Sequence, residues 1–301
     1  MVEDFLFVTE DYDRFGDMQA EPRCLADLDR GYHPDPRWLV KLVSAEAGGG
    51  RISKAELDIL ARHPDATALV ISGLDQATFE YLITRYGAQF QAIEFWKCPR
   101  ITDLSPLEDL PGLRLAGFYW NQRVTRLWNL ARNPGLTGLS FEDFTRLHDL
   151  SDLRAGTSLR ELAFGDALHS TSVFDSLEPL AGLDGLQTLD FSAKRIDDGR
   201  IEPIGNLTGL TSLTFPTNMF TTRQVAWLRA RLPESVRSDA LAPLVQYEMW
   251  PAGDEDATDI LLVGKRKPWL NSTRHAARIQ KHVDEFWQMV AEFRRDPALT
   301  P

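Results

Sequence analysis

The sequence predicts an α/β solenoid of about seven repeats whose short strands form one parallel layer, with helices closing its ends. Three observations predict it. A phrase of the form apolar-x-x-apolar-x-Phe recurs as Phe90-Gln-Ala-Ile93-Glu-Phe95, Leu113-Arg-Leu-Ala116-Gly-Phe118 and Leu136-Thr-Gly-Leu139-Ser-Phe141. It continues as Leu159-Arg-Glu-Leu162-Ala-Phe164, Leu186-Gln-Thr-Leu189-Asp-Phe191 and Leu210-Thr-Ser-Leu213-Thr-Phe215, after a degenerate first copy, Ala66-Thr-Ala-Leu69-Val-Ile71. The copies start 24, 23, 23, 23, 27 and 24 residues apart, so the period is regular. Between them the apolar residues step by three, as in Leu104, Leu107, Leu110 and Leu177, Leu180, Leu183, which suits a helical or 3₁₀ turn. Pro111-Gly112, Pro134-Gly135 and Asp184-Gly185 then turn the chain into the next strand.

The elements follow in order from local signals. Residues 1–50 carry the weakest ones. Asp4-Phe-Leu-Phe-Val8 reads as a strand, Asp35 to Val43 as a short strand or helix, and Ala47-Gly-Gly-Gly50 as a flexible break. Ser53-Lys-Ala-Glu56 is a capping box flanked by Ile52 and Leu57, so a helix is expected to about Arg62, ending before His63-Pro64. It sits where a solenoid needs a cap. Within each repeat, strand alternation turns the second and third apolar residues inward and exposes the second, fourth and sixth residues after the start. One repeat alone cannot bury enough apolar surface to offset the ordering of its own backbone, so the copies must stack. Thr221-Thr-Arg-Gln224 is a second capping box, opening a helix that closes the far end at about Leu232-Pro233. Val245 to Met249 and Asp259 to Val263 read as a hairpin about the polar loop 251–256. A helix from Asn271-Ser-Thr273 carries Ile279, Val283, Phe286, Val290 and Phe293 on one stripe. The expected organisation is an N-terminal region with a capping helix (1–65), the solenoid (66–219), a C-terminal cap helix (220–235) and a ββα unit (236–301).

An L-x-x-L-x-L phrase at a period of 20–29 residues is the signature of the leucine-rich repeat, and the chain resembles that family over roughly half its length. The last copy matches the longer motif through Asn218; the same position in other copies holds Cys98, Asn121, Phe144, Ala167 and Lys194. The segments Phe220 to Pro233 and Gly264 to Trp269 resemble bacterial cytoplasmic leucine-rich repeat proteins of poorly defined function. The resemblance implies an interaction scaffold and brings no catalytic residues.

Composition narrows the partners. The chain has 301 residues, is 43% hydrophobic and carries a formal charge of −11. Eight basic residues face fourteen acidic ones in 1–65, thirteen face nineteen in 66–219, and twelve face eleven in 220–301. An acidic body repels phosphate backbones, so no nucleic-acid partner is expected. Cys24 and Cys98 make neither a disulfide framework nor a zinc spacing. The first apolar run is too short for a signal peptide, and no stretch approaches the ~20 apolar residues of a membrane span. A cytoplasmic protein with no cofactor, metal or membrane partner is expected.

The strand face is where these positions converge on binding chemistry. Its fourth-residue column reads Val70, Glu94, Gly117, Ser140, Ala163, Asp190, Thr214, and its sixth reads Ser72, Trp96, Tyr119, Glu142, Gly165, Ser192, Pro216. Trp96, Tyr119 and Trp120 cluster on adjacent repeats, while Glu94, Glu142, Asp143, Glu161, Asp166 and Asp190 surround small residues. Aromatic anchors with a charged rim are the composition of a protein-binding hot spot. Catalytic patterns are weak by comparison. Glu142 and Asp143 would face opposite ways in a strand, His148 and His169 fall in return loops, and Cys98 occupies a structural motif position. Cys24-Leu-Ala-Asp27 is one residue longer than the Cys-x-Asp of a ubiquitin ligase. Lys265-Arg266-Lys267 reads as a solvated strand end. Asp254-Glu-Asp256 with Asp259 lacks the EF-hand spacing and reads as a solvated hairpin tip. The expected function is a non-enzymatic scaffold holding a protein partner that carries a basic patch. The alternatives are an immunity or antitoxin-type protein masking a toxin, and an enzyme with its site in the C-terminal unit near Lys265 to His275.

Overall fold

The computed structural model describes residues 39–44, 46–166, 171–247 and 258–301. The strand expected at 4–8, Cys24, His169 and the acidic tip at 254–256 lie outside them. Strand β1 (Leu39–Leu42) pairs in parallel with β2 (Ala68–Ile71), so the sheet begins one strand before the first copy read from the sequence. Between them α1 (Lys54–Leu57), capped reciprocally by Ser53 and Glu56, continues as a 3₁₀ turn over Asp58–Arg62 and forms the return leg. After β2 comes α2 (Gln76–Tyr86), a full helix that the repeat spacing does not predict. Asp75 caps it through Thr78, and Phe79, Leu82, Ile83 and Tyr86 place one apolar stripe on the core.

Strands β3 (Ala92–Trp96), β4 (Leu115–Tyr119), β5 (Gly138–Glu142) and β6 (Glu161–Gly165) follow at the repeat period. Then come β7 (Val173–Phe174), β8 (Thr188–Ser192), β9 (Arg195–Ile196) and β10 (Ser212–Thr214). Eight of these ten strands form one all-parallel sheet in the order β1-β2-β3-β4-β5-β6-β8-β10, while β7 and β9 pair separately. The return legs after β3, β5, β6 and β8 are 3₁₀ turns at Ser105–Asp109, Ser151–Ala155, Glu178–Leu180 and Glu202–Asn206. Proline enters three of them at the first positions, where its missing N–H has no partner to lose.

The repeated Phe builds the core. Phe95, Phe118, Phe141, Phe164 and Phe191 are register partners across successive strands. In three of these pairs the rings lie nearly parallel, with centroids 4.8 Å apart for Phe95–Phe118, 5.5 Å for Phe141–Phe164 and 5.4 Å for Phe164–Phe191, while Phe144 packs edge-on against both Phe118 and Phe141. The motif Asn works where the sequence match is poorer. Asn218 is exposed, whereas buried Asn121 donates to Cys98 O (3.2 Å) and accepts from the N–H groups of Arg123 and Val124. Cys98 is itself buried, and desolvation pushes its thiol up to about 12, which keeps it protonated and unreactive. A second buried amide, Asn133, receives Trp128 Nε1–H at 2.6 Å and donates to the carbonyls of Leu107 (2.9 Å) and Leu110 (2.7 Å).

Helix α3 (Thr222–Arg231) starts at the Thr221/Gln224 capping box. Strands β11 (Leu244–Gln246) and β12 (Ile260–Leu262) form the expected antiparallel pair, and β13 (Trp269–Leu270) adds a third strand. Helix α4 (Ala276–Arg295) begins later than Asn271, because the Asn271 side chain accepts from the N–H groups of Thr273 and Arg274 in a turn of its own. Phe286, Val290 and Phe293 join the solenoid core, and the Arg223 guanidinium lies 4.6 Å over the Phe293 ring. His282, not Val283, takes the buried place on this stripe, with Nε2 3.0 Å from Pro243 O, and burial lowers its pKa. Among the described residues no helix is long and apolar enough to cross a membrane.

Asn133→Ala removes a group that satisfies one buried donor and two buried acceptors at once. It is expected to destabilise the fold by about 3 kcal/mol, measurable as a fall in the denaturant midpoint.

Candidate functional site

Alternation brings Trp96, Tyr119 and Glu142 to the ends of β3, β4 and β5 as direct register partners. The Trp96 and Tyr119 rings stack with centroids 6.5 Å apart and planes 7° from parallel. Immediately after each of these residues the backbone turns left-handed, with φ of 50° at Lys97, 60° at Trp120 and 57° at Asp143. The ladder nevertheless continues through the turn. Lys97 N donates to Tyr119 O (2.7 Å), Trp120 N to Glu142 O (3.0 Å) and Asp143 N to Gly165 O (2.7 Å). A bulky residue in this region costs on the order of 1 kcal/mol. The turn swings the three side chains out of strand alternation, so Asp143 does not point to the face opposite Glu142 as a strand residue would.

Lys97 uses that freedom to lie between two indoles, with Nζ 4.4 Å from the Trp96 centroid and 5.2 Å from that of Trp120. Nζ also donates to Ala47 O at 2.8 Å. Of the triple glycine beside Ala47, Gly48 is exposed, while Gly49 and Gly50 are buried and closely packed. A Cβ on Gly49, whose φ is +86°, would stand 2.1 Å from Lys97 O. Arg100 ties this loop to the one after β2, donating to Gly50 O (2.6 Å) and Gly73 O (2.9 Å).

Further along the sheet the column changes character at Gly165. Its φ is +118°, and a Cβ there would meet Ser192 O at 1.7 Å, so the row runs from Glu142 to Ser192 with no side chain between. The gap opens a cavity of about 400 Å³ lined by Glu142, Asp166, Asp190, Ser192 and Thr214. Asp190, mid-strand on β8 between Ala163 and Thr214, is exposed to water yet flanked by apolar wall, and desolvation raises its pKa. Glu94 stands one rung before Trp96, opposite Gly117.

Two expected rim residues are placed differently. Asp166 is buried and accepts from Thr171 N (2.8 Å), Thr171 Oγ1 (3.0 Å), Ser172 N (2.8 Å) and Ser172 Oγ (2.8 Å), so its charge anchors the long repeat. Glu161 opens β6, at the opposite end of the strands from Glu142, about 13 Å away at 3.3 Å per residue. The expected exposure of the whole face also fails at its N-terminal end. Ala68, Ala92 and Leu115 form a buried cluster of their own on the outward face, and Val70 and Ser72 are buried. Ser72 is covered by Ser44, whose N–H donates to its hydroxyl at 2.7 Å. The apolar second-residue column was the available signal, since covering Ala and Leu strips water from no polar group.

The unbroken parallel register at the period of the phrase decides the architecture. The chain is built as a leucine-rich repeat solenoid. No family model matches the sequence, and no curated protein does. Among solved structures it is similar to internalin C2 of Listeria monocytogenes, at 20% identity and a TM-score of 0.41 over 55% of this chain and 77% of that one. It is similar to the leucine-rich repeat protein LIC12759 of Leptospira interrogans at 12% identity and a TM-score of 0.40, covering 64% and 51%. A structure described as a TLR13–ssRNA13 complex matches at 15% identity and a TM-score of 0.47, covering 63% of this chain and 30% of the other. The fold assignment itself rests on the strand register.

In this leucine-rich repeat chain His275 Nδ1 accepts from Asn271 N at 3.1 Å, and Ser272 N donates to Asp259 Oδ1 at 2.7 Å. Among the described residues no three His, Cys, Asp or Glu side chains come together as a metal-ligand set. Trp120→Asn separates strain from service at the aromatic cluster, because Asn tolerates the left-handed region that Trp disfavours. The variant is expected to keep or slightly raise the melting temperature, read by thermal unfolding.

Proposed function

We propose that the strand face from Trp96 to Pro216 binds a protein partner that presents a basic patch. The observation that carries this reading is the aromatic cluster, in which Trp96 and Tyr119 are stacked and Trp120 is held in a left-handed turn beside them. Flat, rigid rings give large contact area at low entropic cost, and strained residues persist where the surrounding structure over-determines them. Glu94, Glu142, Asp143 and Asp190 supply the acidic surround. The net charge of −11 would raise the association rate of a basic partner more than its affinity. No catalytic step is assigned to this surface.

The test is a pull-down from the native host with the full chain as bait, followed by affinity measurement on the recovered partner. Trp96→Ala combined with Tyr119→Ala is expected to weaken that partner about 100-fold with the fold intact. Unchanged affinity would sink the assignment. Asp190 gives a second handle because its carboxyl loses charge at a higher pH than an ordinary carboxylate. As pH falls through that raised range, affinity for a basic partner is expected to drop. Folding stability should move the opposite way, because the folded state there binds the proton more tightly than the unfolded one. Asp190→Asn is expected to flatten both slopes.

A further inference from the structure

The run from Ile260 to Lys281 holds six Lys or Arg residues and no Asp or Glu, in a chain whose net charge is −11. All six cations are exposed. Lys265, Arg266 and Lys267 occupy the turn between β12 and β13, where Arg266 is left-handed at φ 61°, and their side chains make no ion pair among the described residues. Exposed Trp269 follows directly, with its ring 4.9 Å from that of exposed Tyr247. Tyr247, Trp269 and Trp287 are the large apolar side chains left exposed among the described residues, and all three belong to the C-terminal unit.

The field of the neighbouring helix does not favour this charge. Helix α4 starts with no acidic residue in its first turn and no side-chain cap, while Arg274 precedes it and Arg278 stands in its first turn; Lys281, a turn further on, lies 3.8 Å from Glu285. Cations there oppose the helix dipole and cost the fold a few tenths of a kcal/mol each. A charge that works against its own helix, beside exposed aromatic rings, marks a surface kept for an anionic partner.

We propose that this face docks on the acidic strand face of a second copy of the chain, head to tail. The proposal rests on the reading of the strand face as a receptor for a basic surface. Residues 66–219 carry six more acidic than basic residues, and their strand face pairs Trp96 and Tyr119 with Glu94, Glu142, Asp143 and Asp190. The two surfaces thus have matching aromatic character and opposite charge. A long polyanion such as RNA, or an anionic membrane, would meet the same six cations. It would also meet the rest of the chain, which is −17 once the run's +6 is taken from −11. A copy of this chain offers a compact acidic patch instead. Because the two contacting surfaces differ, the contact is heterologous, and each added copy leaves one tail and one strand face open.

Sedimentation velocity on the full chain tests this, at low salt and at about 0.5 M salt, where screening is strong. At low salt the mean mass should rise with concentration beyond a dimer, and at high salt it should fall to the monomer. Lys265→Glu with Arg266→Glu and Lys267→Glu should be monomeric alone, as should Glu142→Lys with Asp143→Lys and Asp190→Lys, each with a folded circular dichroism spectrum. Mixed one to one, the two variants should form a dimer and nothing larger, since only one tail and one face remain competent. A wild-type chain that stays monomeric at every concentration overturns the proposal. So does a variant mixture that stays monomeric, or a wild type that binds single-stranded RNA or anionic vesicles through the tail without self-associating. If the wild type is monomeric yet still holds a partner through Trp96 and Tyr119, only this inference is lost. If those aromatics also prove dispensable, the strand-face reading falls with it.

Discussion

Everything in this molecule depends on the parallel register that sets one phenylalanine directly against the next. Phe95 to Phe191 are partners strand by strand; the rings stack in the pairs Phe95–Phe118, Phe141–Phe164 and Phe164–Phe191, and Phe144 packs edge-on against both Phe118 and Phe141. A slip of one residue would turn every apolar side chain to the outer face, so burial of the ring stack locks the alignment. That alignment brings the strand ends level with one another. Level ends put Trp96 beside Tyr119, and they put Lys97, Trp120 and Asp143 at one height, where left-handed turns extend the ladder by one more bond. The outer surface is therefore positioned by the inner one.

The fifth repeat shows what happens when the period is stretched to 27 residues. The ladder is kept, but Gly165 gives up its side chain to pass close to Ser192, and buried Asp166 spends all its hydrogen-bonding capacity on Thr171 and Ser172. The result is a gap in the outward row, with Asp190 on its wall. One half of the face thus stores backbone strain, and the other holds a carboxylate whose pKa is raised by desolvation. Such costs collect at surfaces used for recognition.

Much of this was legible in the sequence, and the failures have physical causes. The recurring phrase gave the strands, the inward Phe column and the stack, because period-two alternation leaves little freedom once one face is buried. The Ser53 and Thr221 capping boxes gave two helix starts for the same local reason. Helix α2 does not follow from the repeat phrase; its signals are local, the Asp75 cap and the stripe Phe79, Leu82, Ile83, Tyr86. Asp166 was read as a rim charge because its partners Thr171 and Ser172 lie in an irregular loop that no periodicity describes. The left-handed turns at Lys97 and Trp120 left no sequence signal, since neither residue favours that conformation. Strand β13 carries no sequence signal, because two residues, Trp269 and Leu270, are too few to show alternation.

The central claim is that the strand-end aromatics are a contact surface and not only packing for the ends of β3 and β4. Hydroxyl-radical footprinting of the full chain, alone and saturated with the partner recovered from its host, addresses it most directly. Oxidation of Trp96, Tyr119 and Trp120 is expected to fall on binding, while exposed Trp287 on α4 stays reactive. Protection of Trp287 with no change at Trp96, Tyr119 and Trp120 would contradict the account.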